Sequence, residues 1–306
     1  NDGSTDNTEK IILSYTDSRI VYLKNETNLG IAKTLNKGIE IAKGKYIARI
    51  DAGDISLSNR LKEEIKVFSI HKNVDLVYTR AKLLSEEGKI RHLYAFYFGF
   101  EATPFILPFT NLIMHPSVMI KSEVLKSFQY RSDKSVLYIE DWDLWLRMLN
   151  GGCRFYTIKQ PLLLYRLTNT SITFLHSEQQ AENGALLLKE YLHQNFPELK
   201  VQDDVIKFLA GKKENASYSI YIQAKSFINR YLDAIEQKQS ISRACKKDLK
   251  YWKNYILSRR GLSVLKRVNS FDKIKVLLQL ICISPVFYCN HCIKFIQKYY
   301  KANTVK

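Results

Sequence analysis

Residues 30–54 read GIAKTLNKGIEIAKGKYIARIDAGD, and the fold is decided there. Ile31, Leu35 and Ile39, with Ala32 and Ala42, recur at spacings of three and four, which lines the apolar residues along one face of a helix. Gly44 stands where a left-handed residue would end that helix. Tyr46-Ile47-Ala48-Arg49-Ile50 follows at once as a strand, and Ile20-Val21-Tyr22-Leu23 upstream reads as another. Residues 20–50 therefore predict strand, helix, strand, the parallel crossover of an α/β protein. The second strand runs out into Asp51-Ala52-Gly53-Asp54, leaving two carboxylates where strand becomes loop. Open α/β sheets bind ligands beyond the carboxyl ends of their strands, and a divalent cation that bridges phosphates is anchored by one or two carboxylates. A solvated acidic turn is the plain alternative.

Outward from this unit the pattern continues. Thr8 to Tyr15 reads as a short helix, Arg60 to Ile70 as an amphipathic helix, and Val74 to Thr79 as a strand. Residues 81–112 are rich in Tyr and Phe with poor periodicity, and no element is assigned to them. Val118 to Ile120 predicts a strand and Glu123 to Phe128 a short helix. From Asp141 to Leu149 a helix carries Trp142, Trp145, Leu146 and Leu149 on one face, with Gly151-Gly152 as its stop. Leu162 to Arg166 reads as the last strand. Beyond Glu178 the pattern is helical throughout, so the expected division is an α/β domain over 1–175 and a helical, basic region over 176–306.

Composition supports an ordered chain: 46% of the 306 residues are hydrophobic and 25% charged, so disorder is not the default. Five cysteines without a regular framework point to a reducing compartment, the cytoplasm. Cys282, Cys289, His291 and Cys292 could be read as zinc ligands, but they lie in an apolar stretch with no matching second half. The net charge is +17, and residues 241–306 hold fifteen Lys and Arg against two acids, a net +13. Such a tail suits an anionic surface, either membrane phospholipid or nucleic acid. Val276 to Ile293 runs eighteen residues without a formal charge, at the lower limit for a membrane span. Pro285 near its middle and lysines on both sides favour a segment over 274–298 that lies in the membrane interface rather than crossing it. The rival is a nucleic-acid platform, with Tyr251, Trp252 and Tyr255 interleaved among Lys250, Lys253 and Arg259.

Asp2-Gly3-Ser4-Thr5-Asp6, Asn28-Leu29-Gly30 with the helix to Gly44, Asp51-Ala52-Gly53-Asp54, His115-Pro116-Ser117 and Glu140-Asp141-Trp142-Asp143-Leu144-Trp145, in this order and spacing over residues 1 to about 173, resemble family 2 of the glycosyltransferases. The resemblance implies a GT-A fold, a mixed-sheet α/β/α sandwich that takes a nucleotide-sugar and Mg²⁺ or Mn²⁺ and transfers the sugar with inversion. It also implies a strand and helix before Asp2, so the chain, which starts without Met, looks truncated. An inactive transferase fragment is a further alternative.

By the same resemblance Asp54 is the first choice for the metal, and Asp51 contacts metal or ribose. Family members usually carry Asp where this chain has Gly53. Asp141 would be the base that takes the proton of the acceptor hydroxyl, with Glu140 shaping the acceptor site; both could instead simply cap a helix. At a helix start the dipole would lower the pKa of Asp141, while the negative donor diphosphate would work the other way. Asp2, Asn28, Gly30, His115 and Arg166 complete the expected donor site. The implied partners are a UDP-sugar, a glycan or polyprenol-linked acceptor, and an anionic membrane surface at the cytoplasmic face.

Overall fold

The computed structural model describes residues 1–92, 98–166, 168, 171–212 and 216–283. In chain order the first part comprises α1 (Thr8–Leu13), α2 (Ile31–Ile41), β1 (Tyr46–Ala48), β2 (Ile55–Ser56), α3 (Arg60–Ile70), β3 (Leu76–Leu84) and β4 (Ile90–His92). Then come α4 (Thr103–Ile106), β5 (Val118–Lys121), α5 (Ser122–Phe128), α6 (Glu140–Asn150), β6 (Phe155–Arg166) and α7 (Ile172–Leu175). Among the described residues helices alone follow: α8 (Ser177–Asn195), α9 (Asp203–Ala210), α10 (Tyr218–Lys238), α11 (Arg243–Leu265) and α12 (Ser270–Ile283).

The strands form one mixed sheet in the order β1-β5-β3-β6-β2, with β4 on β3. β3 and β6 run parallel in its centre, β5 is antiparallel to both β1 and β3, and β2 is antiparallel to β6. This is the mixed sheet with helices expected of a GT-A fold, and a helical region follows it. The long β3/β6 pairing shifts register between Thr79 and Ala81, opposite Pro161, which has no N–H to give to the ladder. Beside the sheet, Val67 and Phe68 of α3 pack with Val74, Val77 and Met119, and Tyr46 stacks on Phe68 with ring centroids 4.4 Å apart.

The expected parallel crossover over 20–50 is not what forms. β1 pairs only with β5, antiparallel, and stops at Ala48. Residues 20–23 join no strand ladder; instead the Asn1 amino group donates to the Leu23 carbonyl at 2.7 Å and the Asn25 N–H to the Asn1 carbonyl at 2.9 Å. A strand is made by its partner, and hydrogen bonds to a single residue are too few for a ladder.

Two compact units emerge: residues 1–100 with 111–183, and residues 101–110 with 184–306. The second unit is a helical bundle into which 101–110 inserts. Phe109 meets Tyr231 and Trp252 edge-on at 5.0 and 4.9 Å, and the Tyr231 hydroxyl donates to the Phe105 carbonyl at 2.9 Å. The aromatic residues of that segment thus serve the core of the bundle, not the sheet, which is why they show no strand or helix period of their own. Trp252, offered above as a base-stacking residue, is fully buried here, so its ring is covered by Phe109 and Tyr231 and cannot take a base. Ser217 and Ser242 cap α10 and α11, accepting from the Ile220 and Cys245 N–H groups at 3.2 and 3.1 Å.

No helix among the described residues is long and apolar enough to cross a membrane. Val276 and Leu280, inside the segment expected to lie on a bilayer, are buried in the bundle, while 284–298 lies outside the described residues. Of the cysteine and histidine group only Cys282 is described, and among the described residues no His, Cys, Asp and Glu gather in threes to hold a metal.

Candidate active site

Topology brings distant residues to one end of the sheet. Because β5 is antiparallel to β1, with Ala48 opposite Met119, the turn His115–Ser117 that opens β5 lies where β1 ends in Arg49 and Asp51. β3 and β6 run parallel, so β6 finishes at that end too, and Arg166 closes on the acidic turn. Its backbone N–H donates to Asp54 Oδ1 and its Nε to the Gly53 carbonyl, both at 2.8 Å. α6 runs back into β6, which puts its first turn, Glu140 and Asp141, at the same end.

The turn itself is tight: the Asp54 N–H donates to the Asp51 carbonyl at 3.1 Å and Gly53 has φ +91°. A Cβ at that φ is strained, so glycine suits the turn in this conformation. Asp54 Oδ2 is buried and has no hydrogen-bond partner. Burial pushes the Asp54 carboxyl up, opposed by the Arg166 N–H and reinforced by the neighbouring Asp51 charge. Asp51 Oδ1 lies 2.6 Å from Arg49 Nη2 as an ion pair, outside hydrogen-bond geometry.

Arg49 is the residue of this cluster that sequence reasoning passed over. Its charge acts on Asp54, His115, Tyr130, Glu140 and Asp141, so one guanidinium stands among all of them. Its Nε is buried without a hydrogen-bond partner. The available signal was a cation inside an otherwise apolar strand, two residues before an aspartate.

Asp141 accepts from Asn111 Nδ2 at 2.8 Å and from the Trp142 N–H at 2.7 Å. Its pKa is pushed up to about 7, first by burial and then by Glu140, against the hydrogen bonds and the Arg49 charge. This reverses the expected effect of the helix start: removing water from around the carboxylate and placing a second one beside it outweigh the dipole. Glu140 is buried and raised for the same leading reason. Asp143, two residues on, is a structural acid, buried and paired with Arg147 at 2.8 Å and Arg131 at 3.1 Å. Just before α6, Tyr138 adopts φ +68°, strained for an aromatic residue, and its ring stacks on His176 at 3.8 Å.

His115 Nε2 lies 2.7 Å from the Tyr130 hydroxyl, and its ring meets Trp145 edge-on. Burial, helped by Arg49, holds the imidazole well below its ordinary pKa, so it is neutral at pH 7. The Tyr165 hydroxyl feels the charges of Asp54, Asp51 and Asp141 alike, which puts the acidic turn and the start of α6 around one space.

Asp2, Asn28 and Gly30 form a second cluster. Asp2 accepts from Asn25 Nδ2 at 2.9 Å, Leu29 N–H at 2.7 Å and Gly30 N–H at 2.9 Å, while Asn28 Oδ1 shares the Gly30 N–H at 3.1 Å. Burial works against the Asp2 charge, but the bonds from Leu29, Asn25, Thr34 and Gly30 outweigh it and hold its pKa low. Gly30, at φ +83°, opens α2. The structure thus uses the Asp2 carboxylate to pin this loop.

Residues 1–130 match the model of the family described as Glycosyl transferase family 2. Those residues carry that family's domain. Relatives within it are of several kinds. An uncharacterized glycosyltransferase of Methanocaldococcus jannaschii is 35% identical over 164 residues, covering 53% of this chain and 56% of that protein. The O-antigen biosynthesis glycosyltransferase WbnJ of Escherichia coli is 34% identical over 45% of this chain and 53% of its own length. The Escherichia coli enzyme named UDP-Glc:alpha-D-GlcNAc-diphosphoundecaprenol beta-1,3-glucosyltransferase WfgD is 26% identical over 56% of this chain and 65% of its own. The chain thus spans between 53% and 65% of the lengths of these relatives.

Family 2 enzymes of the GT-A fold commonly use a divalent metal. The residues present fit one in a limited way. Asp54 Oδ2 is a buried, unpartnered carboxylate oxygen, and Asp51 is held beside it by Arg49. One or two carboxylates, with the remaining positions filled by phosphate oxygens and water, is the coordination Mg²⁺ usually takes from an enzyme of nucleotide substrates.

Proposed function

We propose that this chain transfers a sugar, with inversion, from a UDP-sugar to a hydroxyl of a glycan or polyprenol-linked acceptor in the assembly of a cell-surface polysaccharide. The observation that carries the reading is the contrast between two carboxylates around one space. Asp54 offers an unpartnered oxygen to a cation, and Asp141, raised to about 7, is poised to accept a proton at neutral pH. Asp54, with Asp51, would hold Mg²⁺ or Mn²⁺, which supplies charge stabilisation to the departing diphosphate. Asp141 takes the proton of the attacking hydroxyl, and Asn111 fixes the orientation of its carboxylate through Oδ2. Glu140 lines the acceptor side, and Arg49 keeps Asp51 in place and limits the build-up of negative charge. His115, neutral and bonded to Tyr130, and Arg166, bracing the turn, shape the donor side; the Asp2, Asn28 and Gly30 loop is assigned to the nucleoside. The printed names of the relatives, one acting with UDP-Glc on a diphosphoundecaprenol and another in O-antigen biosynthesis, support this choice of donor and acceptor. The basic C-terminal residues, with thirteen positive charges in excess after Ser240, suit a protein working against the anionic inner face of the plasma membrane.

The test is a pair of variants assayed for transfer and for UDP binding with Mn²⁺. Asp141→Asn should abolish transfer, by at least about a hundredfold, and leave UDP affinity within about twofold. Asp54→Asn, which keeps an acceptor for the Arg166 N–H, should weaken UDP binding at least about tenfold in Mn²⁺ and little without it. Full transfer by the first variant, or Mn²⁺-independent behaviour of the second, removes the corresponding role.

A further inference from the structure

α12 is apolar on two sides. Val276 and Leu280 are buried against α11, where Gly261 permits the approach: a Cβ there would come within 2.8 Å of Leu280 Cδ2. On the opposite side Phe271, Ile274 and Leu278 follow one another at i, i+3 and i+7, within one third of the helix circumference, and are 68%, 58% and 58% exposed. Cys282, one turn on, is exposed as well. A row of large apolar side chains left uncovered on one helix face marks a surface that meets something apolar.

Charge says what that is. Residues 241–306 hold fifteen Lys and Arg against two acids. Lys266 and Arg267 are exposed immediately before α12, and Lys275 lies along the stripe with Nζ 4.2 Å from the centre of the Phe271 ring. A second copy of the chain would bring these cations against one another. A nucleic acid would use the cations and leave Phe271, Ile274 and Leu278 in water. An anionic bilayer satisfies both sets: the apolar groups enter the boundary of headgroups and acyl chains while the ammonium groups stay among the phosphates.

We propose that α12 docks this chain on anionic phospholipid by inserting Phe271, Ile274 and Leu278 between headgroups, with Lys266, Arg267 and Lys275 at the phosphates. The docking face differs from the one the hydropathy of 276–293 suggests, because Val276 and Leu280 are committed to the bundle. The inference deepens the membrane partner in the reading above and is independent of the transfer chemistry, so each can fail alone.

The experiment is co-sedimentation of the full chain with phosphatidylcholine vesicles, with and without phosphatidylglycerol. Binding is expected only where phosphatidylglycerol is present, and to weaken with NaCl. The triple variant Phe271→Ser, Ile274→Ser, Leu278→Ser, at exposed positions that leave the core intact, should bind at least about tenfold more weakly, as should Lys266→Glu with Arg267→Glu. F271W should show quenching of the introduced indole by brominated acyl chains, which a purely electrostatic association would not produce. The proposal is overturned if the triple variant binds like the parent, if F271W is unquenched, or if light scattering shows a dimer that the triple variant dissolves. UDP release by the triple variant in detergent-solubilised acceptor should be unchanged; its loss, with vesicle binding intact, would overturn the docking role.

Discussion

The pH dependence of transfer exposes the site most directly. If Asp141 takes the acceptor proton, kcat/KM must follow its ionisation in the free enzyme, and its pKa is about 7. With one ionisation near 7, about half of the molecules are competent at pH 7, about a tenth at pH 6 and about a hundredth at pH 5, so the acid limb should fall tenfold per pH unit. An ordinary aspartate would leave the rate nearly flat down to about pH 5. The surroundings give two handles on the midpoint. Glu140 is the second cause of the rise, and Glu140→Gln should move the limb to lower pH; Arg49 opposes the rise, and Arg49→Gln should move it to higher pH. A single charge acting through a partly hydrated site is worth about one pH unit, so the two variants should bracket the parent by roughly that much on either side. The assay is UDP release at subsaturating donor and acceptor with fixed Mn²⁺ over pH 5 to 9, with thermal melts at each pH to show that the fold persists. A rate that stays flat down to pH 5, or a limb that Glu140→Gln and Arg49→Gln shift in the same direction, refutes the argument.

Two other outcomes concern stability. Glu64 is fully buried, keeps Oε2 without a partner, and is raised to about 7 by burial despite its 3.0 Å pair with Arg60. The folded protein therefore holds a proton that the unfolded chain has released, so stability is greatest below the unfolded value and falls as pH rises from about 4.5 to about 7, by up to about 3 kcal/mol from this group. Urea unfolding at pH 5 and pH 8 should show that Glu64→Gln loses this part of the decline; an unchanged decline counts against it. Trp252→Ala opens a hole between Phe109 and Tyr231 and should cost about 3–5 kcal/mol, read from the urea midpoint, where a loss below about 1 kcal/mol would mean that the insertion of 101–110 does not organise the bundle.

Periodicity within single elements made α2, α3 and α6 readable, because a helix face is written at spacings of three and four wherever it packs. The acidic turn after β1 was readable for a related reason: strand, glycine and carboxylates are adjacent in the chain. Chain order and spacing of the short motifs carried the family. Residues 20–23 look like a strand but join no ladder, since β propensity cannot supply a partner. The centre of the sheet was underestimated for the same reason: β3 and β6 extend to Leu84 and back to Phe155 because each backs the other, past the point where either sequence looks apolar.

What the sequence determined alone, then, is local and ordinal: which faces are apolar, where carboxylates interrupt them, and in what succession the motifs come. Tertiary structure alone decided the rest. It placed Arg49 between carboxylates ninety residues apart, turned the expected lowering of Asp141 into a rise to about 7, and sent 101–110 into the second unit. The physical reason is that hydration and charge act through space: a carboxylate responds to every group that excludes water from it or shares its field, whatever the distance along the chain.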